Sequence, residues 1–113
     1  MLNTNIKAKF IEAQIVASPI DINPYIKLGD PLEQPVRILK ISNTTDQGII
    51  LSTDGATIHD YIASNGFVLY DLGTNRAEMG STLQFAAGTQ FYIASEALTT
   101  TGNVILTGIY AGV

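Results

Sequence analysis

The chain reads as an all-β protein: a small two-sheet β-sandwich, jelly-roll-like, with about eight short strands. Three observations predict it. Apolar and polar residues alternate with period two along most of the chain. Clusters of Gly, Asn and Asp interrupt the alternation at close spacing, as turns between short strands do. No apolar stripe of helical period and helical length appears. The 113 residues suffice for one core and are too few for two, so residues 1–113 are read as one domain.

Residues 6–17 form the first strand. Ile6, Ala8 and Phe10 share one face, and Ala13, Ile15 and Ala17 continue on the other parity. The phase breaks at Phe10–Ile11, which predicts a β-bulge or two short strands at a bend. Ala, Glu, Gln and Lys would also suit a helix, but no capping box opens one and Ile15–Val16 favour a strand.

Residues 18–35 carry all four prolines: Pro19, Pro24, Pro31 and Pro35. Proline removes a ladder donor and fixes φ, so this segment is not a regular central strand. Ile20, Ile22, Tyr25, Ile26 and Leu28 make it too apolar for a disordered linker. It is expected to be an ordered, extended excursion packed on the domain or on a neighbour, and its removal to weaken assembly more than folding.

Strands are then expected at 36–42 (VRILKIS), 48–53 (GIILST), 57–62 (TIHDYI) and 67–72 (FVLYDL), with turns at 43–46, Asp54-Gly55 and 64–66. Asp-Gly between β-rich runs is a strong hairpin signal. Residues 73–81 read as a loop holding Arg76 and Glu78. Strands at 83–85 and 90–94 flank Ala87-Gly88 as a further hairpin, and 104–110 (VILTGIY) closes the chain after the turn at 99–103.

Two strands are apolar on both faces. Phe67 and Leu69 oppose Val68, Tyr70 and Leu72; Val104 and Leu106 oppose Ile105 and Ile109. A two-layer sandwich buries only one face of each sheet. The other must meet the proline-rich excursion, a partner or water. Charged residues are only 14% of the chain against about 25% in soluble domains, while 46% is hydrophobic. Both facts predict a surface covered by protein, and hence a homo-oligomer or a docked subunit.

Composition excludes much else. No cysteine rules out disulfides and thiolate metal sites. Net charge is −4 and no basic run interleaves with aromatics, so no nucleic-acid partner is expected. The N-terminus lacks the basic start and apolar core of a signal peptide, and no run approaches the ~20 residues of a membrane helix. Neither a membrane partner nor a cofactor is expected.

His59-Asp60 is the one place where a catalytic pair can be imagined, with Ser52 and Thr53 close by across the turn. Adjacent strand residues point to opposite faces, and no nucleophile elbow is present, so a structural or surface histidine is preferred. Asp46, Asp54, Asp60 and Asp71 are too scattered for calcium, which takes six to eight oxygens. One His without Cys argues against zinc. The glycines match no phosphate loop. Tyr25, Tyr61, Tyr70, Tyr92 and Tyr110 suit sheet packing; a carbohydrate-binding host-recognition module is the alternative, and would need Tyr61 and Tyr70 exposed among polar neighbours.

The run Ile41-Ser42-Asn43-Thr44-Thr45-Asp46, the stretch IILSTDG at 49–55, His59-Asp60-Tyr61-Ile62, residues 67–72 and Gly88-Thr89-Gln90-Phe91-Tyr92-Ile93 together resemble small virion proteins of tailed bacteriophages. The likeness spans residue 36 to the end. It implies a structural component of the particle with no catalytic residues: a capsid decoration or cement protein made in the host cytoplasm, whose partners are the major capsid protein or other virion proteins. A head–tail connector or tail subunit is the runner-up. Residues 6–17 and 18–35 are then the expected contacts with neighbours, through Phe10, Ile15, Ile20, Ile22, Tyr25, Ile26 and Leu28.

Overall fold

The computed structural model describes residues 7–72 and 84–112. Their strands are β1 (Lys7–Phe10), β2 (Gln14–Ala17), β3 (Ile26–Lys27), β4 (Ile38–Asn43), β5 (Ile49–Ser52), β6 (Asp60–Ile62), β7 (Phe67–Asp71), β8 (Tyr92–Ser95) and β9 (Asn103–Gly112). They form two antiparallel sheets. In the five-stranded sheet β1 and β2 share one side of β9, followed by β4 and β7; the four-stranded sheet has the order β3-β8-β5-β6.

The pairing is nested. β1 and β2 pair with β9, β3 with β8, β4 with β7 and β5 with β6. The chain is thus one long antiparallel ribbon, folded back at the turn after β5. Rolling that ribbon adds the β4–β9 and β5–β8 ladders and divides the strands between two sheets. This is the jelly-roll connectivity the sequence suggested.

The phase break at Phe10–Ile11 is a bulge. Phe10 pairs with Ile109 and Gln14 with Leu106, so residues 11–13 oppose only 107–108. The extra residue keeps Phe10 and Ile15 on the same, outer face, although their parities differ, and turns Ile11 and Val16 toward the core.

The core lies between the sheets. Leu39, Ile41, Val104 and Leu106 from one meet Ile49, Leu51, Ile62 and Ile93 from the other. Burying each such side chain stabilises by about 1.5–3 kcal/mol. Phe85 stacks edge-on against both Tyr70 and Phe91, with ring centroids 5.7 and 5.4 Å away.

Residues 18–35 correct an expectation. Ile20 and Leu28 are each 1% exposed and sit in the core with Leu32. Ile26 and Lys27 form the short edge strand β3, as a proline-flanked segment allows. The excursion is therefore a structural wall of the sandwich, and Ile20 and Leu28 offer a neighbour no surface. Ile22, Ile26 and Tyr25 stay exposed or half-buried.

Other differences are local. The chain between β5 and β6 is wider than a tight Asp-Gly hairpin: Gly55 has φ +77°, but His59 N–H reaches back to Leu51 O, and 57–59 are not strand. The hairpin expected around Gly88 does not form among the described residues. Phe85 bridges to Val36, Gly88 N–H donates to Leu32 O, and β8 pairs with β3 and β5. The loop expected at 73–81 lies outside the described residues, as does Leu83.

Candidate docking face

One end of the sandwich is knitted by polar bonds. Buried Asn43 donates to the carbonyls of Gln47, Ile62 and Ala63 and accepts from Thr45 N–H at 2.9 Å. Asp46 accepts from the N–H and hydroxyl of Thr100 at 2.9 and 2.7 Å, which holds its carboxyl below the usual range. Thr99 Oγ1 accepts from Ile20 N–H at 2.7 Å. Gly102 has φ +85°, and a Cβ there would fall 2.0 Å from Thr44 O, so only glycine fits. These bonds fasten the loops that carry the chain between sheets, and every group described is engaged within the protein.

The outer face of the five-stranded sheet is different. The register sets its side chains in rows: Phe10, Ile109, Ile38 and Asp71; then Thr107, Lys40 and Leu69; then Ile15, Ile105, Ser42 and Phe67. Phe10 is 79% exposed, Phe67 61%, Ile15 59% and Leu69 55%; Ile38, Ile105 and Ile109 are half-buried between them. Charge within the rows is confined to Lys40 and Asp71. Lys40 Nζ lies 4.8 Å from the centroid of the Phe67 ring, a cation–π contact across the sheet. Four strands about 4.8 Å apart and five positions about 3.4 Å apart give roughly 330 Å² of largely apolar surface.

Sequence reasoning named Phe10 and Ile15 as contacts of the N-terminal segment, without a common face, and did not name Phe67, Leu69, Ile105 and Ile109, which share this face with them. The signal was present, because those four are the second apolar faces of the two strands noted as apolar on both sides. What was missing was their adjacency: β4 lies between β7 and β9 and makes one surface of them.

The catalytic and ligand candidates resolve into turn and packing bonds. His59 Nδ1 accepts from Thr53 N–H at 3.0 Å and lies 3.2 Å from Thr53 Oγ1. That contact fixes the tautomer with the proton on Nε2 and braces the turn. The Ser52 hydroxyl is directed to Asp54 Oδ1 at 2.8 Å. Asp54 also accepts from Thr57 N–H and Ala56 N–H, which with the Ser52 bond holds its carboxyl well below the usual range. Asp60 faces Tyr70, whose hydroxyl it binds; burial first, and this carboxylate second, raise the Tyr70 phenol.

Tyr61 and Tyr70 do not share a platform. Tyr70 packs on the core against Phe85, while exposed Tyr61 on the other sheet donates to Glu96 Oε1 at 2.6 Å, which raises its own phenol. A shallow groove of about 180 Å³ between residues 11–14 and 30–34 is rimmed by Glu12, Asp30 and Glu33. Among the described residues no three His, Cys, Asp or Glu are grouped to hold a metal.

No family model, curated protein or solved structure is detectably similar to this chain.

Proposed function

We propose that the chain is a non-catalytic assembly subunit, docking on other protein through the outer face of its five-stranded sheet. The observation that carries this reading is the contiguous apolar face centred on Lys40, with Phe10, Ile15, Phe67 and Leu69 all exposed on it. Four large apolar side chains standing in water on one flat sheet are costly unless a partner covers them. A face of roughly 330 Å² is under half of the ~800 Å² per partner of a standard stable interface. Such a contact suits a multivalent setting, where many weak dockings on a repeating lattice add through avidity.

The assembly we propose is a tailed-bacteriophage particle, with this chain as a capsid decoration or cement protein beside the major capsid protein. The turn patterns of residues 36–113 are what suggest it, and the jelly-roll connectivity is compatible with it, since that fold recurs in capsid proteins as well as in lectins and cupins. A connector or tail subunit would use the same surface in a closed ring.

The test is the copy number in purified particles, by quantitative mass spectrometry against the major capsid protein. Near-stoichiometric amounts are expected. A count matching one small ring moves the reading to a connector, and absence from particles refutes the virion reading.

A further inference from the structure

The turn between β6 and β7 carries a chemistry of its own. Asn65 is the only asparagine in the chain followed by glycine; the others precede Thr, Ile, Pro, Arg or Val. An asparagine side chain can be attacked by the amide nitrogen of the next residue. Glycine leaves that nitrogen unshielded, a β-branched neighbour crowds it, and proline has no N–H to give up. Asn65 stands exposed in the turn, so water and base reach its side-chain amide.

The same turn holds a latch. Gly66 N–H donates to Ala63 O at 2.9 Å, closing a β-turn with Asn65 at its third position and φ +61°. Asparagine tolerates that left-handed conformation better than most residues. Gly66 O accepts from Asn43 N–H at 2.8 Å, and Asn43 Nδ2 donates to Ala63 O at 3.2 Å. Ser64 Oγ donates to Thr45 O at 2.6 Å. The attacking nitrogen is thus bonded, and the turn around it is tied to the end of β4 and to the turn that follows β4.

We propose that Asn65-Gly66 is a latent deamidation site, held closed by this turn and reactive only when the turn opens. Hydroxide removes the Gly66 amide proton, and the nitrogen attacks Asn65 Cγ. The N–Cγ bond forms, the Cγ–Nδ2 bond breaks, and Nδ2 leaves as ammonia with a proton from water. Water then opens the cyclic imide at either carbonyl, giving aspartate or isoaspartate. The net reaction takes up one water, releases one ammonia and changes no oxidation state. In the folded chain the first step must break the Gly66–Ala63 bond, so the rate follows the population of the open turn. Both products carry a carboxylate where the chain had a neutral amide. Isoaspartate also adds a methylene to the main chain just ahead of β7, which begins at Phe67. This chemistry is independent of whether the outer face docks.

Peptide-by-peptide mass spectrometry of the 113-residue chain, aged in mildly alkaline buffer with and without urea, tests this. In urea Asn65 is expected to convert ahead of every other asparagine. Without urea it should convert at least about tenfold more slowly, since the open turn is a minor population. Ser64→Ala removes the tie to Thr45 and should speed conversion in the folded chain by about three- to tenfold, with circular dichroism confirming the fold. Amide hydrogen exchange gives a second reading: Gly66 N–H should exchange slowly in the wild type. Equal rates with and without urea overturn the proposal. So does a Gly66 amide that exchanges like that of an unstructured peptide, or another asparagine that outpaces Asn65 in urea. A folded Ser64→Ala chain that converts no faster than the wild type overturns the latch assigned to Ser64.

Discussion

Residues 7–17 and 18–35 are neighbours in sequence, both rich in isoleucine and alanine or proline, and they have opposite fates. In the first, Phe10 and Ile15 stand on the outside of a sheet. In the second, Ile20 and Leu28 are sealed in the core. Their isoleucines alone do not foretell this. What does is where each crosses the sandwich: β1 and β2 run along the margin of a sheet whose inner side is filled by Ile11 and Val16, whereas 18–35 passes from one sheet to the other and must close the gap between them. An apolar residue is a core residue when the chain's path gives it somewhere to go, and an exposed one when it does not.

The sharpest way to break this comparison is to truncate the buried side. Leu28→Ala is expected to destabilise by about 3 kcal/mol, and Ile20→Ala by a similar amount, as for other buried aliphatic truncations. Urea denaturation reads this directly. Deletion of 18–35 should then abolish folding, contrary to what its prolines suggest; a cooperative melt surviving that deletion would restore the idea of a detachable arm.

Next in size is the polar end of the sandwich, where Asn43 ties the 44–47 turn to the end of β6. Asn43→Ala leaves the Thr45 N–H and three carbonyls without their buried partner, and should cost about 2–3 kcal/mol. A loss under half a kcal/mol would mean that water takes over the amide's bonds.

Acid should act on the exposed turns. Asp54 and Asp46 have lowered folded-state values, so their contribution is fully present above the ordinary carboxylate value of about 3.9 and is lost as pH falls toward their own lower values. Asp54→Asn and Asp46→Asn should flatten the acid limb of stability against pH by lowering stability at neutral pH, and leave the most acidic region nearly unchanged. An unaltered acid limb would show that other carboxylates govern it.

The smallest effect on stability is expected on the outer face. Phe10→Ser and Ile15→Ser should each change unfolding free energy by no more than about 0.5 kcal/mol, the range of ordinary surface substitutions. The same variants should lose docking on particles. A destabilisation comparable with Leu28→Ala would place these side chains in an intramolecular core and erase the contrast between the two segments.

Much of the architecture was legible in the sequence, because it rests on local rules. The period-two alternation gave strands, Gly-, Asn- and Asp-rich turns gave their ends, and the phase break at Phe10–Ile11 gave the bulge, since a register slip of one residue is visible wherever one face is apolar. The two-faced character of 67–72 and 104–110 was legible for the same reason. The hairpin around Gly88 was misread because a turn signal says that the chain reverses, not which strand it reverses onto.

What only the tertiary structure decided is adjacency. That β4 joins β7 and β9, so that Phe67, Leu69, Ile105 and Ile109 become one surface with Phe10 and Ile15, depends on pairings between residues far apart in sequence. That Ile20 and Leu28 turn inward depends on the gap between two sheets, which no local pattern encodes. By itself the sequence determined which side chains alternate and where the chain turns, through backbone sterics and burial period. The nested ribbon determined which of those apolar faces meet each other and which stand on the outside.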